Sequence, residues 1–539
     1  MGQLRNHGVT LHLSLRSERQ SVPDVPAIYF IEATDDNISR IVSDYKAGLY
    51  SYMHLNFASS IPKTLLQRLA KELGAATPTP RSSVARVVDR HCSFVSLDQT
   101  TFTLNQQSTY LSLHRSGASD KEIELSMDNV ASGVLSVILT CIKHVPVIRA
   151  PSNGAAGMVA QIMNDRLVEL SSSAAGPDLF SSTAAVSADP NHAQRPLLII
   201  LDRDLDLTPM VGHGWSYAAL SADLLGMTLN KVSIPKENKH YDIDPAESFW
   251  RKSAHLAFPE AATAVNQLVS EFSRVRGEMT SGEAGLSTAV SALPQVTEMK
   301  RTVDMHTTIA TALLNEVKAR QIDKFFEIEH DLNVNSLVEI IADPSMAIED
   351  KVRTAIVLLL KKDGIQPAKV DQIVSQLQAD PNIGPSLKYI KYLLGLRQVS
   401  SMPPAAAPQV ALPGMLGGIA EKMKSRGEGI LAAGIKNLKN ILPVNDNLVL
   451  TNTVQQLADQ TVNALTDSFL YFDPRNPHSS VRVRGSFRQI VVCVVGGGSI
   501  TEAENMNAWS SKSGRVVLYG ATDFPSPATF TRDLSKLAI

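Results

Sequence analysis

The N-terminal part of the chain alternates short apolar runs with stretches of helical periodicity. Strand-like runs occupy residues 9–15, 27–31, 52–57 and 92–95, and helix-like stretches occupy residues 35–46 and 62–73. Alternation at this spacing is typical of a parallel sheet flanked by helices. The pattern therefore predicts an α/β domain at the start of the chain.

A second α/β pattern follows, and a long helical region interrupts it. Residues 122–142 and 155–170 have helical periodicity, and residues 145–150 are strand-like. The apolar run from Leu197 to Leu201 ends at Asp202, as a buried parallel strand does at its polar end. Clear strands are then lacking until residues 490–498 and 516–520, so we predict that the C-terminal part completes the second domain. Residues 400–418 are predicted to be a flexible linker.

A heptad stripe marks one helix of the helical region. Its members, spaced alternately by three and four residues, are Val296, Met299, Val303, His306, Ala310, Leu313 and Val317. A similar stripe over residues 286–293 changes phase at Pro294, which predicts a kink or hinge. The stripe either packs against helices of its own domain or forms a surface hairpin that receives a partner helix. His306 is interpreted as a tolerated residue of this seam rather than a switch.

The helix predicted over residues 62–73 has an apolar face wider than one packing surface needs. Leu65, Leu69 and Leu73 form one stripe, and Leu66 and Ala70 widen it. Val84 and Val87 follow in the sequence and would complete a shallow apolar pocket. The alternative is that all of these side chains belong to the core.

Composition restricts the classes of function. The 539 residues are 44% hydrophobic and 19% charged, with a formal net charge of -2, which gives no reason to expect nucleic acid as a partner. Cys92, Cys141 and Cys493 are predicted to be reduced, buried thiols of a cytosolic protein. The most apolar stretch, residues 134–147, is too short to span a bilayer, so membrane contact is predicted to be indirect.

Three aspartates carry one candidate chemistry. Asp202, Asp204 and Asp206 would share one face of an extended strand and would there be able to hold a divalent metal. The structural alternative, which we favour, is that they cap elements or pair with an arginine such as Arg203 or Arg195.

A run of glycines suggests a second candidate chemistry, the binding of a phosphate. Gly496 to Gly498 follow a strand-like run and precede a helical stretch, where glycines admit a phosphate or simply make a tight turn. The spacing fits neither dinucleotide-binding nor P-loop motifs, which favours the turn.

Several segments together resemble one protein family. The stretch QRPLLIILDRDLDLTPMVGHGWSYAALSADLLGMTLNKV passes from a buried strand through Thr208 and Pro209 into a helical region. With DVPAIYFIEATDDNISRI and LYSYMHLNFASSIPK, it resembles the Sec/Munc (SM) family of SNARE regulators, in particular its Sly-type members of the ER and Golgi. The resemblance implies a three-domain arch of the α/β plus α class, with two parallel-sheet domains and a large mainly helical domain. It implies no enzymatic role and no cofactor or metal.

The resemblance also implies bounds and sites. The first domain would span residues 1–96, the second residues 97–210 and 443–539, and the helical third residues 211–442 with a hairpin at about 286–320. By matching positions, the N-terminal peptide of a syntaxin would be held by Leu66, Leu69, Ala70, Val84 and Val87, and the heptad stripe would receive a SNARE helix.

The implied partners are a syntaxin-type (Qa) SNARE of ER–Golgi membranes and assembled SNARE bundles. The chain would promote SNARE complex assembly and vesicle fusion in ER to Golgi and intra-Golgi transport. It would be cytoplasmic and attached peripherally to these membranes through SNAREs. Contacts with Rab proteins or tethers, and the identity of the syntaxin, stay open.

The chain departs from the family pattern at two places. Family members begin with a further segment that supplies a first strand and helix, and this chain opens at MGQLRNHGVTLHL, so its first domain is predicted to lack both through a truncated gene model or a splice form. The loop EMTSGEAG is shorter than the lid-bearing loop of other Sly-type members, which argues against an autoinhibitory lid.

Two rival functions are carried forward. One is a nucleotide-sugar or metal-dependent transferase that uses the aspartate run. The other is a vacuolar or plasma-membrane SM protein with a different syntaxin.

Overall fold

The computed structural model divides into two compact units. It describes residues 4–5, 7–76, 82–173, 176–180, 195–234, 237–280, 286–362, 364–399, 447–461, 464–478 and 487–538. Unit 1 consists of Met1–Phe94, Ala131–His144 and Ser171–Thr183, and unit 2 of Val95–Val130, Val145–Leu170 and Ala184–Ile539. The predicted linker at residues 400–418 lies outside the described residues, and the bounds of the three predicted domains stay a prediction.

Unit 1 contains a three-stranded parallel sheet. Its elements are β1 (Ala27–Ile31), α1 (Asp35–Lys46), β2 (Tyr52–Phe57), α2 (Lys63–Gly74) and β3 (Ser83–Asp89), and the strand order is β1-β2-β3. Ile38 and Ile41 from α1 and Leu69 from α2 are buried together with Met53 and Leu55 of β2. The two helices therefore cover the same face of the sheet.

Residues 9–15 do not form the strand that their apolar alternation predicts. Leu11 and Leu13 are exposed, and Leu15 packs against the core of unit 1. A strand needs a neighbour for its backbone N–H and C=O groups, and no described strand pairs with this segment. The run predicted at residues 92–95 is likewise reduced to the short strand Val95–Ser96, which belongs to the sheet of unit 2.

Unit 2 is built on a seven-stranded sheet. The remaining strands of the chain are β4 (Val95–Ser96), β5 (Thr101–Thr103), β6 (Val147–Ala150), β7 (Leu197–Asp202), β8 (Lys231–Ile234), β9 (Lys239–Asp242), β10 (Leu470–Phe472), β11 (Gln489–Val495) and β12 (Val516–Ala521). The order in the large sheet is β10-β6-β7-β11-β12-β5-β4, with β10 and β4 antiparallel at its two edges. Strands from both sides of the helical region thus share one sheet. Its central strands β7 and β11 are buried on both faces, which explains their continuous apolar runs.

Helices make up most of the rest. In chain order they are α3 (Thr109–His114), α4 (Asp120–Val137), α5 (Ala155–Ser172), α6 (Gly176–Leu179), α7 (Thr208–Val211), α8 (Tyr217–Leu224), α9 (Ser248–Ser253), α10 (Phe258–Thr280), α11 (Leu286–Arg320), α12 (Ile322–Asp331), α13 (Val334–Ala342), α14 (Ile348–Lys361), α15 (Pro367–Leu377), α16 (Pro385–Val399), α17 (Val449–Asp459), α18 (Ala464–Asp467), α19 (Ile500–Ser513) and α20 (Pro527–Leu537). A π-helical turn, Ile138–Ile142, continues α4.

The helical region differs from its prediction in one element. Clear strands were not expected there, but β8 and β9 form an antiparallel hairpin in which Val232 faces Tyr241. Strands of four residues are too short to show a periodicity that separates them from a loop. The helices α10 and α11 pack against each other through a shared core that includes Phe258, Ile309 and Leu313.

A salt bridge at the centre of unit 2 joins β7 to α19. Arg203, directly after β7, donates from Nη1 and Nη2 to the two carboxylate oxygens of Glu502, both at 2.8 Å. Both side chains are completely buried. The Tyr519 hydroxyl of β12 donates to the same carboxylate at 2.7 Å. Since a buried charge is tolerated only with well-placed partners, this pair fixes the end of β7 against the start of α19.

A second buried network surrounds His213. Its Nδ1 lies 2.7 Å from Glu329 Oε1 and its Nε2 lies 3.1 Å from Asp350 Oδ1. Arg320 and Arg353 also contact Asp350. Arg353 in turn pairs with Asp223 at 2.6 Å. The network therefore contains three carboxylates and two guanidinium groups. Its net charge is zero when the imidazole of His213 is protonated.

The carboxylates that face the imidazole favour its protonated form. Burial and Arg353 work to lower the pKa of His213, but the facing Glu329 and Asp350 carboxylates outweigh them and raise it. Burial works to raise the pKa of Asp350, and the contacts with His213 and Arg320 lower it instead.

The cysteines differ from one another in exposure. Cys493 is buried in β11, where burial raises the pKa of its thiol to about 12, and Cys92 is half-buried. Cys141 is exposed, contrary to the prediction that all three thiols are buried. It lies in the π-helical turn, whose buried face is formed by Ile138, Leu139 and Ile142 instead.

One described helix is long and apolar enough to cross a membrane by length and composition. It runs over Asp120–Ile142, and 56% of its most apolar window is buried inside the structure. The core helix of a soluble protein passes the same test, so this feature is weak evidence for a membrane span.

Removing one partner of the Arg203–Glu502 pair is expected to destabilise the chain. In Arg203→Met the Glu502 carboxylate is left buried without its cation, which should cost about 3–5 kcal/mol of unfolding free energy. Urea denaturation followed by circular dichroism measures the loss. Lys391→Met breaks an exposed pair with Asp371 and should cost at most about 1 kcal/mol. Equal losses in the two variants would contradict a special role for the buried pair.

The contribution of His213 is expected to depend on pH. A group whose pKa is raised on folding stabilises the fold fully below its unfolded value of 6.5 and loses that contribution as the pH rises through the folded pKa. His213→Gln should therefore lower the melting temperature more at about pH 6 than at about pH 9. His330→Gln, at an exposed histidine, serves as the control. A difference between wild type and His213→Gln that is constant with pH would refute the charged imidazole.

Candidate functional site

The apolar face of α2 is divided between core and surface. Leu69 is only 2% exposed, and Leu65 and Leu73 are half-buried. Leu66 is 40% exposed, and Ala70, one turn further along the helix, is also exposed. The helix thus packs through the predicted leucine stripe and leaves the two widening positions at the surface.

An irregularity in β3 places two valines on the same side of the sheet. Between Met53 and His54 the register of β2 with β3 shifts by one residue, so Met53 faces Val84 and Leu55 faces Val87. Without this bulge, positions three apart on a strand would point to opposite faces. Val84 packs against the core of unit 1, whereas Val87 is 41% exposed.

These residues form what we call the α2–β3 patch: Leu66, Leu69, Ala70, Val84 and Val87. Leu69 and Val84 join the core of unit 1, and Leu66, Ala70 and Val87 are exposed. The sequence left open whether the whole set is core, and the structure divides it. The strand β3 itself was missed, because its extra residue destroys the alternation by which strands are recognised.

Arg68 of α2 forms ion pairs on the side of the helix that faces α1. Arg68 donates from Nε to Glu72 Oε1 at 2.7 Å and also pairs with Asp35. The hydrogen bonds to Glu72 and Asp35 raise the pKa of Arg68. This arrangement ties α2 to α1.

The heptad stripe of α11 is also divided. Val303, His306, Ala310, Leu313 and Val317 are buried in unit 2, most of them in the core shared with α8 and α10. Val296 and Met299, nearer the start of the helix, are half-buried. The buried part packs inside the molecule, as one of the two alternatives expected, and is not accessible to a partner helix in this conformation.

The kink or hinge predicted at Pro294 stays a prediction. Pro294 lies inside α11, which continues on both sides of it. The side chains of the preceding stripe, residues 286–293, lie outside the described part of the chain.

His306 is a satisfied core residue. Its Nδ1 lies 3.0 Å from the Tyr217 hydroxyl and its Nε2 lies 3.2 Å from Glu247 Oε2. Its ring packs against Phe249 at a centroid distance of 4.5 Å. Burial works to raise the pKa of Glu247, but the hydrogen bonds from His306 and two backbone N–H groups lower it.

The aspartate run does not converge. The strand β7 ends at Asp202 and a turn of 3-10 helix follows, so the three carboxylates do not share the extended face that the metal alternative requires. Asp202 accepts a hydrogen bond from the Ala156 N–H at the start of α5, and Asp206 accepts one from the Thr208 N–H at the start of α7. Asp204 accepts a hydrogen bond from the Tyr110 hydroxyl.

Their partners also differ from those suggested. Arg203 pairs with Glu502, and Arg195 pairs with Asp473, rather than with the aspartate run. Burial raises the pKa of Asp202 to about 6. Within the described residues, no group of three or more His, Cys, Asp or Glu side chains is arranged to hold a metal ion.

The glycine run makes a tight turn. Gly496 and Gly497 have φ values of 103° and 107°, in the left-handed region. A Cβ on Gly496 would lie 2.9 Å from Arg203 Cβ. The N–H of Gly496 donates to Thr522 Oγ1 and the N–H of Gly498 donates to the Asp523 carbonyl, so neither is available to a phosphate. Gly496 is required by the close approach of the chain to the buried arginine, and Gly498 by the close approach of the Tyr519 hydroxyl and Ala521.

Comparison with known proteins identifies the class. A model of the Sec1 family matches residues 1–533. The chain is 33% identical to the rice protein "SEC1 family transport protein SLY1", covering 100% of this chain and 88% of that protein. It is 31% identical to the human "Sec1 family domain-containing protein 1", covering 99% of this chain and 90% of that protein. The chain therefore belongs to the Sec1 family, which confirms the resemblance to SM proteins.

Solved structures agree with the sequence relatives. The "Crystal structure of Sly1p in complex with an N-terminal peptide of Sed5p" is similar over 100% of this chain and 88% of that chain, with a TM-score of 0.79 and 30% identity. The "Crystal structure of the Unc18-syntaxin 1 complex from Monosiga brevicollis" has a TM-score of 0.73 at 18% identity, covering 100% of this chain and 92% of that chain. The predicted SM fold class is thereby confirmed.

Proposed function

We propose that this chain is an SM regulator that binds a syntaxin-type SNARE and promotes SNARE complex assembly in transport between ER and Golgi and within the Golgi. Support comes from its similarity to Sly1 proteins over the whole chain and from the similarity of its structure to that of Sly1p in complex with an N-terminal peptide of Sed5p. The observation that carries the proposal is an apolar surface on α2 and β3 that unit 1 does not use for its own core.

The α2–β3 patch is proposed to hold the N-terminal peptide of the syntaxin. Leu66, Ala70 and Val87 offer exposed apolar area, and Leu69 and Val84 beneath them anchor the surface to the core. An apolar side chain of a peptide would lose its contact with water here without the patch having to rearrange. Because Leu69 and Val84 are already packed in unit 1, little ordering cost should oppose binding.

The hairpin of α10 and α11 is proposed to contact SNARE helices near Val296 and Met299. These half-buried positions continue the stripe beyond the part that packs inside unit 2. Holding helices in register on such a surface reduces the entropy cost of assembling a bundle. This mechanism is differential binding and involves no reaction at an active site. The chain would act in the cytoplasm, at the periphery of ER and Golgi membranes through its SNARE partners.

Leu66→Glu is expected to weaken binding of the syntaxin peptide. The charge would lie in the exposed apolar part of the patch, and its desolvation should weaken binding at least about tenfold, or 1.4 kcal/mol. Fluorescence anisotropy with a labelled N-terminal peptide of an ER–Golgi syntaxin measures the change. Leu125→Glu, at an exposed leucine of α4, should bind like the wild type. Unchanged binding by Leu66→Glu would exclude the patch as the peptide site.

Val296→Asp is expected to slow SNARE assembly without unfolding the chain. Val296 is half-buried and outside the shared core, so its replacement should leave the melting temperature nearly unchanged. Leu313→Asp, in the same stripe, would bury an unpaired charge and should destabilise the fold strongly. Assembly is followed by fluorescence transfer between labelled SNAREs. A stable Val296→Asp variant with full activity would argue against the hairpin surface.

A further inference from the structure

A cavity of about 660 Å³ lies within unit 2, where three parallel strands of the large sheet end. The strands β11, β12 and β5 pair in parallel, and the wall of the cavity includes Gly498 after β11, Asp523 after β12 and Thr103 at the end of β5. Crevices at the carboxyl ends of parallel strands commonly bind small molecules. The volume lies in the range of roughly 300–1,000 Å³ that suits such ligands.

Small and apolar side chains form much of the wall of this cavity. The helix α8 contributes Ala218 and Ala222, whose short side chains leave room beside the helix. Met227, Trp250 and Phe524 add larger apolar surface. The apolar part of an organic ligand would therefore lose its contact with water here.

One carboxyl group on the wall has no cation as its partner. Glu504 of α19 accepts a hydrogen bond at Oε1 from Ser216 Oγ at 2.7 Å. Among the residues that the structure describes, no positively charged side chain acts on this carboxyl, and burial raises its pKa to about 8. Glu502 of the same helix is by contrast fully paired with Arg203. Since carboxylates removed from water are normally paired, Glu504 is suited to a cationic ligand.

A buried hydroxyl on the wall also lacks a partner. Thr101 and Thr103 both line the cavity and are separated by one residue of β5, so their side chains lie on the same face of the strand. Thr103 Oγ1 accepts a hydrogen bond from the Asn105 N–H at 3.0 Å. Thr101 is only 3% exposed, and its Oγ1 has no hydrogen-bond partner in the described part of the chain. Because an unpaired buried hydroxyl is costly, Thr101 indicates that the cavity takes a polar occupant.

We propose that this cavity binds a small organic amine, whose ammonium group pairs with the Glu504 carboxylate and whose apolar part lies among the apolar side chains of the wall. The ammonium supplies the cation that the chain itself does not provide. The Thr101 hydroxyl is available to a further polar group of the ligand. This site is separate from the α2–β3 patch, which belongs to unit 1.

An amine fits the wall better than an anion or a metal ion. Asp523 adds a second buried carboxyl, whose pKa burial raises to about 6. The two residues of the wall that can carry a positive charge, Arg251 and His255, are exposed. An anion would therefore meet Glu504 and Asp523 without a buried cation to attract it. A metal ion would need several converging ligands, and the described residues offer no such group.

Isothermal titration calorimetry of the full chain with phenethylamine tests the proposal. The wild type should bind this amine saturably at one site, and phenethyl alcohol, of similar shape but without the charge, should bind at least about tenfold more weakly. Glu504→Gln keeps the shape of the side chain and should also weaken amine binding at least about tenfold. Glu271→Gln, at an exposed glutamate of α10, should bind like the wild type. Circular dichroism confirms that each variant is folded.

Methyl NMR of labelled methionines locates the bound amine. Met210 and Met227 line the cavity, so the methyl signal of at least one of them should shift as phenethylamine is added. The signal of Met53, in the core of unit 1, should not change. A wild type without saturable binding would overturn the proposal. So would equal affinities for the amine and the alcohol, undiminished binding by folded Glu504→Gln, or binding that shifts neither Met210 nor Met227.

Discussion

The buried Arg203–Glu502 pair is the constraint on which the architecture of unit 2 depends. A guanidinium in the interior must be met by a carboxylate in bidentate geometry, or the chain bears a desolvated charge. This requirement brings the start of α19 to the end of β7 and draws the backbone at Gly496 close to the arginine side chain. The neighbouring aspartates do not pair with Arg203. Asp202 and Asp206 instead accept hydrogen bonds at the starts of α5 and α7, and Asp204 accepts one from Tyr110. A sequence run that suggests a metal site is explained by one arginine taking its partner from elsewhere in the chain.

Much of this fold was predictable because its long elements are periodic. The continuous apolar runs of β7 and β11 are typical of strands covered on both faces, and α1, β1 and β2 have the predicted bounds. The predictions from sequence are wrong where a strand depends on a distant pairing partner or contains an extra residue. Residues 9–15 alternate like a strand but have no described neighbour to pair with, and β3 pairs well but does not alternate because of its bulge.

The candidate sites were predictable only as sets of positions. Periodicity places Leu66, Leu69 and Ala70 on one wide helix face, but it does not show which of them are buried in the core. The burial of Leu69 and the exposure of Leu66 depend on how α2 packs against the rest of unit 1, which is a tertiary property. The heptad stripe has the same ambiguity, because side chains that pack within the molecule and side chains that bind a partner helix have the same spacing. In both cases the structure separates supporting residues from accessible ones, as expected of a protein that acts through surfaces.

The bulge in β3 allows the α2–β3 patch to tolerate two spacings of its valines. Ala85 is the extra residue that lets Val84 and Val87, three positions apart, face the same way. Without Ala85 the two valines would be two positions apart on a regular strand and would again share a face. Two family members that differ by one residue at this point can therefore present the same apolar surface. A comparison that treats a gap here as the loss of the patch would separate chains that are alike in it.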